Sequence, residues 1–258
     1  MALAGLPCLL EDFVFESFAL KVRRRETAFY RFLYDLAKAL ITANLPLPQF
    51  IFPVLRVGFS LHQGVLSVLR WGMTFFYRGP LFRGRCESVG KRFSLARLPF
   101  IVGHTKIYIG DDVNFFGQVD IHSGRIFDEP KLIIHNRVDI GHGVSFVVNK
   151  EIVIEDDVNV AGGVGFMDSD SHPRDVKDRI ADLPPKPEEI RPVRICKNAW
   201  ISRGSMIMKG VTVGEGAIIG ANSVVVTDIP PHSIAMGNPA RVIVKNTKPD
   251  KELVSNTT

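Results

Sequence analysis

Between Ile195 and Ile229 an aliphatic residue returns at every sixth position: Ile195, Ile201, Ile207, Val213, Ile219 and Val225. A period of six belongs neither to a helix, which repeats at about 3.6, nor to a two-sided strand, which repeats at 2. A short strand, a corner and another short strand does produce it. Three such units close one coil, which puts Ile195 under Val213, Ile201 under Ile219 and Ile207 under Val225. Like residues then stack along an axis, the repeat logic of a parallel β-helix. Gly and Asn near the corners suit tight turns, because they accept positive φ at little steric cost.

The count starts loosely near Phe100. Ile109, Phe115 and Ile121 are in step, then Ile134, Ile140 and Phe146, then Ile154, Val160 and Phe166. Residues 167–193 interrupt it with Pro173, Pro184, Pro185, Pro187 and Pro192 and many charges. In a solenoid such an insertion projects from one edge as a loop, and long loops on rigid scaffolds carry function. Pro230-Pro231-His232 ends the regular coils. The expected organisation is a helical region over 1–100, a repeat domain over 101–245 with the loop 167–193, and a polar tail over 246–258.

The front of the chain has a different character. The net charge of +5 divides into +8 over residues 1–100 and −3 over 101–258, so an anionic partner is expected at the front. Residues 13–45 read as helix, with Phe29, Leu33, Leu36 and Leu40 on one stripe. The prolines of residues 46–53 read as a break. Ser60-Leu61-His62-Gln63 fits a capping box, so a second helix is expected from there to Tyr77. One reading makes these helices a cap on the first coil. The other makes residues 13–97 a basic-aromatic patch on an anionic membrane surface. No nucleic-acid motif accompanies the basic residues, and no nucleic-acid partner is expected.

Residues 1–12 are apolar but lack a basic leader and run into Glu11 and Asp12, unlike a signal peptide. No clean apolar run reaches the length of a membrane span, and the longest charge-free window, 39–55, holds three prolines; a spanning helix is not expected. Cys8, Cys86 and Cys196 form no CxxC pair and no even set, which points to a reducing compartment. The apolar and charged fractions, 46% and 23%, are those of an ordinary folded protein.

The hexads, the projecting loop, the Ser171-His172-Pro173 step and the ending Gly237-Asn238-Pro239-Ala240-Arg241-Val242-Ile243 together resemble the hexapeptide-repeat acyltransferases. That family includes the galactoside, maltose and serine acetyltransferases and the sugar O-acetyltransferases of polysaccharide assembly. The resemblance covers residues 101–245. It implies a mainly β fold, a left-handed parallel β-helix, a homotrimer, and acetyl-CoA held in a groove between neighbouring subunits. The basic-aromatic front is more similar to the polysaccharide-assembly members, which implies a sugar or glycan acceptor and a cytoplasmic enzyme at the inner face of a membrane. No metal is expected.

Acyl transfer from a thioester to a hydroxyl needs a base for the hydroxyl proton and donors for the oxyanion. Imidazole suits the first task, since it titrates near neutrality. Of seven histidines, His172 stands at the head of the loop and matches the family's catalytic His before Pro. Asp168 and Asp170 are candidates to orient the ring or touch the acceptor. The resemblance also assigns Trp200, Arg203 and Ala221 to the pantetheine arm, and Arg241 and Lys245 to the nucleotide phosphates, where guanidinium suits phosphate. Thr227 is carried over with them, but it departs from the family's Thr-Lys-Asp: the chain reads Val226-Thr227-Asp228, without the lysine.

Other readings remain open at this stage. One is an N-acyltransferase of the same fold. Another is a carbonic-anhydrase-like protein using His135, His142 and His172, although the close His-x4-His pair of that group is absent. A third is a non-catalytic scaffold.

Overall fold

A computed structural model describes residues 18–43 and 47–245. The tail 246–258, the apolar start 1–12, and residues 13–17 and 44–45 of the expected first helix lie outside the described residues. The chain divides into two units, residues 1–63 and 64–258.

In the first unit, residues 18–24 are helical, and Arg25 breaks the helix with φ 54°. Helix α1, Ala28–Thr42, follows; the Thr27 hydroxyl accepts from the Tyr30 amide at 3.3 Å, an N-cap that satisfies one of the free amides of the first turn. None of its residues is buried. The next helix departs from expectation. A continuous helix occupies Gln49–Arg85, comprising a short 3₁₀ turn, α2 (Phe52–Met73), a π turn (Thr74–Arg78) and α3 (Gly79–Arg85). Ser60 to Gln63 lie in the interior of this helix and not at its start. Pro48 precedes the 3₁₀ turn and Pro53 stands in the first turn of α2, where a missing amide hydrogen costs no helical bond; α1 ends ahead of this proline segment, as expected, and the second helix starts within it and not at Ser60. The helix is also long and apolar enough to cross a membrane by length and composition, with a mean hydropathy of 1.3 in its best window, none of which is buried. Arg56 and Arg70 stand far enough apart for such a window to hold few charges.

The second unit is the solenoid. Its strands form three parallel faces, each coil adding one strand to each face. The first face holds Ser88–Val89, Lys106–Ile109, Lys131–Ile134, Glu151–Ile154, Val193–Ile195 and Thr212–Val213. The second holds Ser94–Leu95, Asn114–Phe115, Asp139–Ile140, Asn159–Val160, Trp200–Ile201 and Ile218–Ile219, then the hairpin Ser233–Gly237 and Ala240–Lys245. The third holds Phe100–Val102, Val119–Ser123, Val144–Val148, Gly165–Met167, Met206–Ile207 and Val224–Val225. The coils therefore begin at Ser88, ahead of residue 101, because Ser88–Val89 already pairs with Tyr108–Ile109.

The register is the one that the hexads require: Ile195 pairs with Val213, Ile201 with Ile219, and Ile207 with Val225. All six side chains are fully buried. Each burial contributes about 1.5–3 kcal/mol, so the stacked ladder is the main stabilising force of this unit. Phe146 and Phe166 stack within it at 5.1 Å, nearly parallel. At the open end, Phe82 of α3 is buried against Phe93 and Phe115 and closes the first coil. At the corner between the first and second faces, Arg92, Asp112, Arg137 and Asp157 occupy equivalent positive-φ positions in successive coils. Arg92 bonds Asp112, and Arg137 bonds Asp157 at 2.6 Å, so the corner charges alternate and pair along the axis.

Candidate active site

The long loop leaves the third face after Met167 and rejoins the first face at Val193. Its ends are drawn together, since the Arg191 amide donates to the Asp168 carbonyl at 2.9 Å. Asp168 is fully buried. Its carboxylate accepts from the backbone amides of Asn149, Lys150 and Glu151, at 2.6 to 3.0 Å, and from the Asn149 side chain at 3.3 Å. Burial raises its pKa, against these donors, which favour the ionised form. The side chain is thereby committed to the corner of the preceding coil and offers no free oxygen to an acceptor or to a histidine.

The residues after it are held one by one. Ser169 is buried, and its hydroxyl accepts from the Ser171 amide at 3.0 Å. Asp170 accepts from the Lys209 amine at 2.6 Å, and Arg174 lies 3.8 Å from the same oxygen. Ser171 turns through φ 65° and Pro173 is buried. Between them His172 projects, exposed. Beyond it, Asp175 caps the short helix Val176–Ile180, and Arg179 bonds the carbonyls of Pro173 and Arg174. Arg125, from the short insertion 124–130 on the same edge, reaches Asp182 at 3.2 Å.

Lys209 is the participant that sequence reasoning missed. It belongs to a hexad two positions past the inward Ile207, and nothing in the spacing distinguishes it from any surface lysine. In the folded unit its side chain is only 7% exposed. A lysine is rarely so buried without a partner, and Asp170, 39 residues away in sequence, supplies one.

The residues carried over for CoA fall elsewhere. Trp200 points outward from the second face, half exposed, between Asn159 and Ile218. Arg203 and Ala221 occupy successive coils at the corner between the second and third faces; the Asn222 amide donates to the Arg203 carbonyl at 2.9 Å. The next level there is the terminal hairpin, where Gly220 donates to Ala235 and Arg241 pairs with Met236. Trp200, Arg203, Ala221 and Arg241 are all exposed, and Lys245, also exposed, ends the same hairpin. Thr227 is apart from them, on the loop's edge between the third and first faces, beside Asp228, whose carboxylate accepts from the Thr212 amide. One chain thus presents His172 and the carried-over CoA set on different edges. His135, His142 and His172 lie on three different corners. Among the described residues no cluster of His, Cys, Asp and Glu could hold a metal ion.

Beside the loop's start, a groove of about 610 Å³ is lined by Phe127, Asp128, Glu129, Lys131, Lys150 and Glu151. Lys150 and Glu151, whose amides hold Asp168, are among its lining, so the groove adjoins the start of the turn that carries His172.

Residues 192–227 match the family described as bacterial transferase hexapeptide (six repeats). The chain therefore carries a stretch of hexapeptide repeats. Its resemblance to the hexapeptide-repeat acyltransferases extends to curated relatives. A putative acetyltransferase of Saccharomyces cerevisiae is 39% identical over 109 residues, 42% of this chain and 53% of that protein. Serine acetyltransferase of Salmonella typhimurium is 32% identical over 154 residues, 57% of this chain and 46% of the enzyme. The chain thus spans about half the length of these relatives. Among solved structures, the N-acyltransferase AntD of Bacillus cereus, in complex with dTDP and 3-hydroxybutyryl-CoA, superposes with a TM-score of 0.51 at 20% identity, covering 69% of this chain and 92% of that one. That likeness establishes a shared fold.

Proposed function

We propose that this hexapeptide-repeat protein is an acyl-CoA-dependent O-acetyltransferase that moves acetyl from acetyl-CoA to a hydroxyl of a sugar or glycan precursor. His172 is its general base. The observation that carries the proposal is the turn Asp168–Pro173: Asp168, Ser169 and Asp170 are tied down by hydrogen bonds, Pro173 is buried, and the His172 imidazole is exposed beside them. A base must be held still and still reach its proton. In the reaction His172 takes the hydroxyl proton as the oxygen attacks the thioester carbonyl. The tetrahedral intermediate collapses with loss of the CoA thiolate, and the imidazolium returns the proton to sulfur. Atoms and charge balance without a metal.

The CoA set fits its ligand in kind. Trp200 and Ala221 offer apolar surface to the pantetheine arm, and Arg203, Arg241 and Lys245 offer cations to the phosphates. Their edge is not that of His172. A left-handed homotrimer resolves this, because the groove between two subunits can join the histidine edge of one to the CoA edge of the next. The acceptor is assigned to the groove under Phe127, next to the catalytic turn, and Asp170 orients the turn through Lys209. A cytoplasmic location, with residues 13–97 meeting the inner face of a membrane, completes the reading for their described part.

The test is thiol release from acetyl-CoA with a panel of sugar hydroxyl and amino-sugar acceptors. Wild type is expected to release CoA only with a hydroxyl acceptor, and His172→Ala to lose at least about a hundredfold while keeping its fold and mass. Near-normal turnover in that variant refutes His172 as the base. Release with amino sugars alone moves the assignment to N-acyl transfer, the activity named for AntD.

A further inference from the structure

The helix Gln49–Arg85 carries an arrangement that capping a solenoid does not require. Arg56, Ser60, Gln63, Ser67, Arg70, Thr74 and Arg78 succeed one another at spacings of four and three. At about 100° per residue they keep to one stripe roughly 80° wide along the helix. His62 stands off it. The remaining arc of about 280° is almost wholly apolar, with Val65, Val68, Leu69, Trp71, Phe75 and Phe76 all exposed. The stripe has a direction. The Thr74 hydroxyl donates to the Leu95 carbonyl at 3.2 Å, and Arg78 donates to the Ala96 carbonyl at 2.8 Å, so over these turns the stripe faces the first coil; Trp71 and Phe75, at the edge of the arc, line a groove with Phe93 and Leu95, and the rest of the arc points away.

The width of the arc discriminates between occupants. A helix packed on another helix or on a sheet buries a stripe of about 100°. A partner protein, or a second copy, would leave most of this arc in water. A medium that wraps three sides of a helix is lipid. The polar stripe, unbroken over the whole length, favours a helix lying in the plane of the bilayer over one that crosses it.

Charge then chooses the lipid. From Gln49 to Arg85 there is no Asp or Glu, while Arg56, Arg70, Arg78, Arg83 and Arg85 are all basic. Arg78, Arg83 and Arg85 bond carbonyls of the first coil. Arg56 and Arg70 remain on the stripe, in position to meet phosphates at the headgroup level.

We propose that the helix Gln49–Arg85 docks on an anionic bilayer, with its apolar arc among the acyl chains and Arg56 and Arg70 at the lipid phosphates. This inference rests on the membrane location proposed above and sharpens it to one helix, one face and one lipid charge; its test uses no activity, so its failure leaves the acyl-transfer chemistry untouched.

The full chain is floated with vesicles of phosphatidylcholine alone and of phosphatidylcholine mixed with phosphatidylglycerol. In a Trp200→Phe background, Trp71 is the only tryptophan left of two, and brominated lipid reports its depth. Expected are flotation with the anionic vesicles and quenching of Trp71. Val68→Gln/Phe76→Gln should weaken partition at least about tenfold, since each change withdraws a large apolar group from lipid. Arg56→Gln/Arg70→Gln should remove about tenfold of the preference for phosphatidylglycerol while sparing the apolar contact. Circular dichroism confirms that each variant stays folded, and the arginine pair carries the test if the apolar pair does not. Absence of flotation, unquenched Trp71 on floated protein, or partition unchanged in both pairs overturns the proposal. So does self-association through the helix in lipid-free buffer that the Val68/Phe76 pair abolishes while flotation persists.

Discussion

The solenoid and the helix Gln49–Arg85 are built from similar apolar residues and dispose of them oppositely. In the solenoid each inward side chain sits on its equivalent one coil away, so every coil is the solvent of the next and the ladder closes on itself. Phe166 is fully buried there, whereas Phe76 of the helix is 75% exposed. The difference is one of geometry. A period of six, folded through three corners, brings every sixth side chain to a common axis. A helix spreads its apolar residues around its own circumference, so an arc wider than a neighbour can cover is left for another phase. Repetition in one region removes the need for a partner; its absence in the other creates one.

Replacing equivalent residues in the two regions should expose this contrast most strongly. Phe166→Ala should destabilise the solenoid by about 3–5 kcal/mol in urea unfolding, the range for a large cavity in a core that cannot collapse. Phe76→Ala should leave lipid-free stability within about 0.5 kcal/mol. Equal losses would erase the distinction between a self-covered and an uncovered apolar surface.

A second prediction concerns the one excursion from the closed ladder. Lys209→Met removes the amine that holds Asp170 and should free the turn around His172. Trypsin, which has sites at Arg174, Lys177 and Arg179, should then cut the loop roughly tenfold faster, because cleavage follows the population of opened segments. Turnover should fall mainly in kcat, as expected when a base is misplaced and binding is kept. A loop as resistant as wild type would show that Asp168 and the Arg191 bond suffice.

The smallest effect belongs to the corner ion pairs. Hydrogen bonds from Arg92 and Arg137 lower the pKa of Asp112 and Asp157. A lowered folded pKa contributes stability that is present above the ordinary aspartate value and is lost as pH falls through the lowered one. Both groups are exposed, so screening keeps the gain small. Arg137→Gln should make the melting temperature slightly less sensitive to acidification through that window; an unchanged acid slope would mean that these pairs are ornamental to stability.

Much of this arrangement was legible in the chain. The hexads determined which side chains enter the core, their register from coil to coil and the place of the projecting loop, because a fixed repeat length makes each position predict the next. The place of His172 was legible for a related reason: it stands at the head of the interruption. The helix boundary was not, since Pro48 and Pro53 read as breakers until the structure put them at a helix start, and only then does the polar stripe become continuous. The Lys209–Asp170 pair was equally hidden, joining residues on two coils whose intervening loop has no period. Asp168 was legible as a carboxylate near the histidine, yet its buried amide contacts, formed with the preceding coil, decide that it anchors the corner. Sequence alone determined what repeats, because repetition is local information copied along the chain. Tertiary structure alone decided which edge each functional residue occupies and which apolar surface stays uncovered, because both depend on what the fold brings to the other side.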